Sequence, residues 1–366
     1  MNPGPPVVQI VCPARFGGAE TVILALVRGL RDRGLGVKVL AAVADDPSHP
    51  FLAALRQARI ETVTTGPAIL AQLGALRELI SSEAGLLLHS HGYRSDVLTR
   101  LAGSRRCRLV STVHGFTGGG LRVRTYEELQ RRALRGFDRV VAVSGPLGEL
   151  LSGSGVSPAR LRVIANRLPP ATPLSRPEAR TRLGLPQAGT VIGWVGRLSH
   201  EKGPDLGLEA LARLPDRDWI GAFLGSGPES RALRDRAEAL GLGNRIRWLG
   251  DQPEAGRLMT GFDVLLSSSR TEGTPMVLLE AMTAGIPIVA FAVGGIPDLM
   301  ARGPEAGFLV PPGQPEDLAQ ALAMAMARVR TGLPRQTGFP EQIQQEYEGW
   351  VDQYVKVYRE AGVQVA

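Results

Sequence analysis

Two doubly wound α/β domains, each a parallel sheet with helices on both faces, are what this sequence predicts. Three observations carry the prediction. Apolar runs of strand length alternate with helix-like segments through the first half of the chain. The alternation starts again after a Pro-rich stretch without periodicity. The 366 residues are enough for two domains that each bury a core.

In the N-terminal half the predicted strands are 7–12, 37–42, 60–63, 86–88, 109–113, 139–143 and 161–164. Helices are expected from Ala19, Phe51 and Ala68, and after the sixth strand from a cap at Ser144. Residues 1–165 form the first domain and 166–188 a linker. The second domain, 189–339, has strands at 191–196, 220–224, 246–249, 264–267, 288–291 and 308–310. A last helix, 340–360 within a closing segment 340–366, carries Ile343, Tyr347, Trp350, Tyr354 and Val357 at helical spacing, and is expected to pack back towards the first domain. Two such domains would face each other across a cleft between their C-terminal strand edges, where ligands bind in sheets of this kind.

The composition, 44% hydrophobic and 21% charged, is that of a globular protein, and no run approaches the ~20 apolar residues that span a bilayer. With no basic signal-peptide start, the expected location is cytoplasmic, with peripheral attachment to the inner face of the membrane as an extension. Cys12 and Cys107 give neither metal spacing nor a disulfide framework. The net charge of +7 is uneven: residues 1–165 hold 21 Lys/Arg against 12 Asp/Glu, and the remainder 21 against 23. Arg105, Arg106, Arg108, Arg122, Arg124, Arg131, Arg132 and Arg135 supply much of the excess. Arg131, Arg132 and Arg135 fall on one side of a predicted helix, with Leu129, Ala133 and Phe137 on the other, an arrangement suited to an anionic membrane surface. A solvated basic face is the plainer reading.

The chemistry centres on Arg270-Thr-Glu-Gly-Thr-Pro-Met-Val-Leu-Leu-Glu280, which follows the strand 264–267 and opens an apolar helix running to a C-cap at Gly285. Gly273, Thr274, Pro275 and Met276 fall where that helix starts, so its unpaired amides can face an anion such as a diphosphate. Glu280 is expected about two turns in, its side chain leaning back towards the N-terminus to meet the hydroxyls of a sugar ring. Glu272, just before the helix, must be compensated by cations or bind hydroxyl donors. A capping glutamate and a solvated helix glutamate are the alternative.

Gly193-Trp-Val-Gly-Arg-Leu-Ser-His-Glu-Lys-Gly203 ends a strand at the same sheet edge, and Arg197 and Lys202 would bring two cations there to neutralise a diphosphate. Leu224-Gly-Ser-Gly-Pro228 reads as a tight glycine turn. Cys12-Pro-Ala-Arg-Phe-Gly-Gly-Ala-Glu20 lacks the GxGxxG spacing, yet Gly17 and Gly18 still allow close approach to a ligand. His91 and His114 sit at strand ends that converge on the predicted cleft, with Tyr93, Arg94 and Phe116 beside them. Asp216-Arg-Asp218 matches a DxD metal motif only formally, away from that cleft, so no metal site is expected. Neither a phosphate-binding GxxxxGK[ST] loop nor a GxSxG elbow occurs.

Together these residues resemble the retaining glycosyltransferases of family 4, which have the two-domain GT-B fold. The resemblance runs through Phe16-Gly-Gly-Ala-Glu20, Thr112-Val-His-Gly115, Ala142-Val-Ser144, Val195-Gly-Arg-Leu-Ser-His-Glu-Lys-Gly203 and the spacing of Glu272 to Glu280. It implies that Arg197 and Lys202 hold the donor diphosphate and that Glu280 accepts ribose hydroxyls. Glu272 and the amides from Gly273 to Met276 would hold the transferred sugar, Gly17 and Gly18 would approach the donor, and His114 would line the transfer site, with His91, Tyr93, Arg94 and Phe116, the last opening the loop 116–124, as candidates for the acceptor side. One departure is Asn166-Arg-Leu-Pro169, where the family usually shows Asn-Gly followed by an apolar residue and Asp.

The reaction implied is transfer of a hexose-type sugar from a nucleoside diphosphate sugar, with UDP the expected nucleotide, to an acceptor hydroxyl with retention. The leaving diphosphate would take the acceptor proton, and no metal or cofactor is expected. The acceptor is expected in glycolipid, polysaccharide or cell-envelope glycan synthesis, and no nucleic acid partner is expected. Two rivals share the fold: a sugar-nucleotide 2-epimerase, and a non-catalytic scaffold that binds nucleotide or lipid.

Overall fold

The computed structural model describes residues 7–13, 17–46, 48–83, 85–103, 106–116, 121–169, 172–252, 254–301, 307–331 and 340–364. Phe16, Arg105, residues 117–120 of the acceptor-side loop and the Arg122 side chain lie outside the described residues. The chain divides into two compact units, Met1–Leu168 with Gln345–Ala366, and Pro169–Gln344.

The first unit holds the parallel strands β1 (Val7–Val11), β2 (Val37–Ala41), β3 (Glu61–Thr64), β4 (Leu87–His91), β5 (Arg108–Val113), β6 (Arg139–Ala142) and β7 (Leu161–Val163). Their order is β3-β2-β1-β4-β5-β6-β7, so the winding reverses between β1 and β4. Val8, Ile10, Leu40, Leu88, Val113, Phe137 and Val140 fill one face of this sheet. The second unit holds β8 (Thr190–Val195), β9 (Trp219–Leu224), β10 (Ile246–Gly250), β11 (Val264–Ser267), β12 (Ile288–Phe291) and β13 (Gly307–Val310), in the order β10-β9-β8-β11-β12-β13. Here the reversal lies between β8 and β11, and the loops that follow these strands flank the crevice where doubly wound sheets bind ligands.

The helix Pro340–Glu360 packs on the first unit from Gln345 onward. Tyr347 donates to the Ala25 carbonyl at 2.7 Å, Arg33 pairs with Asp352, and Trp350, Tyr354 and Tyr358 are fully buried. Any Cβ on Gly29 would meet Val351 Cγ2 at 2.4 Å, so this helix lies directly against the helix Gly18–Asp32.

Three expectations need correction. The stretch read as a linker contains the helix Arg176–Leu183, which belongs to the second unit. It starts with a Ser175/Glu178 capping box, and its Arg180 is wholly buried in an ion pair with Asp263 at 2.6 Å. Ser144 does occupy the cap position of the helix Gly145–Gly153, but its hydroxyl makes no capping bond. The helix Leu121–Leu134 leaves Leu129 41% exposed and buries Glu127 and Gln130 together with Leu134, while Phe137 just beyond it is buried as expected. Its inner face is mixed: Leu134 joins the apolar core, and Gln130 donates to the buried Asp96 at 2.6 Å. Arg131 and Arg132 share one acidic partner, Glu128, at 3.0 and 3.1 Å, so the basic face the sequence predicts is partly neutralised.

Candidate active site

In the second unit two loops meet because β8 and β11 are neighbours. Arg270 N–H donates to the Glu201 carbonyl at 2.9 Å, and the Arg270 guanidinium grips Asp205 through two bonds of 2.8 and 2.6 Å. Ser268 is buried, accepts from Trp194 Nε1 at 3.1 Å and donates to the Gly203 carbonyl at 2.6 Å. Gly203 has φ +60°, and a Cβ there would lie 2.1 Å from the Ser268 carbonyl oxygen, so the close approach demands glycine. From the other side Gly295 N–H donates to the Gly273 carbonyl at 2.9 Å. The glutamate loop is thus clamped on both flanks by backbone and buried polar bonds.

Lys202 and Glu272, 70 residues apart, form the centre of this arrangement. Lys202 Nζ lies 2.7 Å from Glu272 Oε1, which also accepts from Ser269 Oγ at 2.7 Å. The Glu272 side chain is only 7% exposed, so its charge is compensated by the lysine. Lys202 is left two further hydrogens for an anion. Arg197, at the same edge, is 54% exposed and bonded to Glu201 at 2.5 Å, its partner one turn on in the 3₁₀ segment His200–Lys202.

The helix Met276–Thr283 starts with Pro275 at its N-cap, so Glu280 lies little more than one turn in rather than two. The amides of Gly273, Met276 and Val277 have no acceptor among the described residues, and Thr274 is buried beside them. Glu280 is partly buried, finds no donor or cation among the described residues, and its carboxyl is pushed up to about 7 by desolvation. Its carboxylate lies against Gly256, where a Cβ would sit 3.0 Å from Glu280 Cδ.

In the first unit His114, just past β5, reaches His91 at the end of β4: His114 Nε2 and His91 Nδ1 are 3.1 Å apart, with the rings stacked at 5.4 Å. Burial holds His114 down at about 4 and His91 well below its ordinary range, so both are neutral. The other acceptor-side candidates are engaged locally. Tyr93 stacks on Tyr126 at 5.5 Å, Arg94 donates to the Pro67 carbonyl, and Arg131 lies over the Phe116 ring at 4.8 Å. Gly17 caps the helix Gly18–Asp32, its amide donating to Glu20 at 3.0 Å. The DxD-like Asp216 pairs with Arg330, and among the described residues no group of three or more His, Cys, Asp or Glu could hold a metal ion.

Comparison with known proteins decides the class. Residues 16–170 match the family described as Glycosyltransferase Family 4, and residues 175–329 match Glycosyl transferases group 1. The chain is 30% identical over 353 residues to a D-inositol 3-phosphate glycosyltransferase of Mycobacteroides abscessus, covering 87% of this chain and 79% of the relative. It belongs to glycosyltransferase family 4. A 2-deoxystreptamine N-acetyl-D-glucosaminyltransferase of Streptomyces fradiae is likewise 30% identical, over 86% of this chain and 84% of that one. Among solved structures, Anabaena Alr3699/HepE in complex with UDP and glucose superposes with a TM-score of 0.80 at 22% identity, covering 96% and 98% of the two chains. The fold is GT-B, and the activity is glycosyl transfer.

Four residues that position this glycosyltransferase's candidate site escaped the sequence reading. Asp205 fixes Arg270, and Ser269 shares Glu272 with Lys202. Gly256 makes room for Glu280. Gly294, with φ +54°, lies where a Cβ would be 1.8 Å from the Glu272 carbonyl oxygen. Only the last left a local signal, the Gly294-Gly295 pair that follows β12.

Proposed function

We propose that this glycosyltransferase moves a hexose-type sugar from a nucleoside diphosphate sugar, most simply UDP-linked, to an acceptor hydroxyl with retention at the anomeric carbon. The observation that carries the reading is the joint presence, on one short helix, of first-turn amides and a Glu280 carboxylate that have no partner among the described residues, beside the Lys202–Glu272 pair. The amides of Gly273 and Met276, with Lys202 and Arg197, would take the diphosphate, and Glu280 would accept two ribose hydroxyls. Glu272, held by Lys202 and Ser269, would accept hydroxyls of the transferred sugar. His114, and Gly17 and Gly18 with it, would contact substrate from the first unit.

In the reaction the acceptor oxygen attacks the anomeric carbon on the face the diphosphate leaves. The C–O bond to the β-phosphate breaks, and a phosphate oxygen takes the acceptor proton. Lys202 and the helix amides stabilise the negative charge that grows on the diphosphate, so the reading calls for no metal. UDP is supported by the complex of the Anabaena neighbour, solved with UDP and glucose. For the acceptor we favour a lipid-linked or polysaccharide substrate at an anionic membrane surface, with the exposed Tyr126 and Leu129 beside Arg132 as the contact. Retention of the protein on anionic but not neutral vesicles tests that part.

The test of the donor site is the thermal unfolding shift with UDP, GDP, ADP and dTDP, each in EDTA. A nucleotide at about 100 times its dissociation constant stabilises by about 2.7 kcal/mol. A shift with UDP that Glu280→Ala abolishes is the expected result, and no shift with any nucleotide would overturn the reading.

A further inference from the structure

Gln9 is a wholly buried amide in the middle of β1, Val-Val-Gln-Ile-Val, where an apolar side chain would otherwise pack. It is there because its strand is the hinge of the winding: Gln9 pairs in register with His89 on β4, and Val11 with His91. A buried amide must find partners, and those it finds run in one line. His91 Nε2 lies 2.7 Å from Gln9 Oε1, and Gln9 Nε2 donates to Tyr358 Oη at 3.1 Å. Tyr358 Oη is 2.8 Å from His89 Nδ1, whose Nε2 is 2.8 Å from Thr112 Oγ1, with Tyr354 Oη 3.3 Å further on.

With the Gln9 amide oriented so that Oε1 faces His91 and Nε2 faces Tyr358, the hydrogens along this line follow from what each atom can do. The Gln9 amide nitrogen can only donate, so Tyr358 accepts from it and gives its own hydrogen to His89 Nδ1. His89, kept neutral at about 3 by burial, then carries its hydrogen on Nε2 and donates to Thr112. At the other end Gln9 Oε1 can only accept, so His91 carries its single hydrogen on Nε2 and its Nδ1 is bare. His114 must therefore donate through Nε2, and its own Nδ1 is bare as well. That nitrogen has no hydrogen-bond partner among the described residues, and His114 is only partly buried.

We propose that Gln9 is a positioning residue for glycosyl transfer: acting through His91, and held in orientation by Tyr358 from the C-terminal helix, it makes His114 present an unprotonated Nδ1 to substrate. Such a nitrogen accepts a hydrogen bond from a sugar hydroxyl and repels carbonyl and phosphate oxygens. The proposal rests on the reading above that His114 contacts substrate, but the tautomer itself does not, and it is measured separately.

The experiment is long-range ¹H–¹⁵N correlation on full-length protein labelled at its five histidines, together with steady-state kinetics of wild type, Gln9→Met and Tyr358→Phe. Wild-type His114 and His91 are expected as Nε2–H tautomers with unprotonated Nδ1. Both variants are expected to give His114 as a mixture. They should lose kcat by about tenfold, the worth of one misdirected hydrogen bond, with the donor KM little changed. Tyr358→Phe removes only a hydroxyl, so it serves if Gln9→Met does not fold. His114 protonated at Nδ1 in the wild type would overturn the proposal, as would an unmoved tautomer in the variants or an unchanged kcat with a scrambled one. Wild-type protein with the expected tautomer but no turnover of any nucleotide sugar would count against the function and leave the hydrogen-bond chain standing.

Discussion

Replacing Glu280 with glutamine removes a carboxylate that desolvation holds up at about 7, against an ordinary glutamate value of 4.5. The sign of the effect is fixed by which state ionises first. The unfolded chain loses the proton near 4.5 and the folded chain only near 7, so Glu280 contributes fully below 4.5 and its contribution is lost as pH rises through 7. A displacement of that size is worth about 3 kcal/mol as an upper bound, because the side chain is only partly buried and water screens some of it. Glu280→Gln keeps the shape and has no proton to lose. Wild type and variant should therefore unfold at similar urea concentrations at pH 5, and the variant should be the more stable at pH 8. Nucleotide binding should run the other way. Two ribose hydroxyls donating to the carboxylate favour its charged form, so binding releases a proton and tightens between pH 5 and 7.5, which calorimetry in buffers of different ionisation enthalpy reads directly. Identical pH slopes of stability in wild type and variant, or binding of UDP that ignores pH, would refute the assignment of an unpaired, hydroxyl-seeking carboxylate.

Other perturbations test separate parts. Lys202→Ala and Glu272→Ala should each lower kcat on the order of 100-fold or more, with circular dichroism unchanged; turnover within threefold of wild type in both would remove them from the site. Gly294→Ala sets a methyl against the Glu272 carbonyl at a positive φ, so it should cost about 1–3 kcal/mol of stability and raise the donor KM, seen as a lower Tm and weaker saturation. Arg180→Ala leaves Asp263 buried without its main partner, and should cost about 3–5 kcal/mol in urea unfolding, with donor affinity per folded molecule unchanged.

What the sequence made legible was local. Caps, glycine turns and strand lengths act within a few residues, so β11, its loop and the helix Met276–Thr283 could be placed from Gly273, Pro275 and Gly285 alone. The helix Arg176–Leu183 was legible too, in Ser175-Arg-Pro-Glu178, but its prolines outweighed that signal in a stretch read as linker. Polar pairing over distance was not legible. Lys202 meets Glu272 only because the strand order puts β8 beside β11, and Arg197 is tied to a Glu201 that folds back on it. The inward face of the helix Leu121–Leu134 is only half legible for the same reason: periodicity finds the buried Phe137, but Asp96, buried with Ser90, Ser111 and Gln130 as its donors, draws Gln130 inward where Leu129 is expected. Gln9 is the sharpest case. Within an apolar strand it looks like an interruption, yet its amide is satisfied by residues 82 and 349 positions away, and the direction in which it points decides which nitrogen of His114 is bare. A buried polar residue in a strand is thus a question about distant partners, and only the topology of the sheet supplies them.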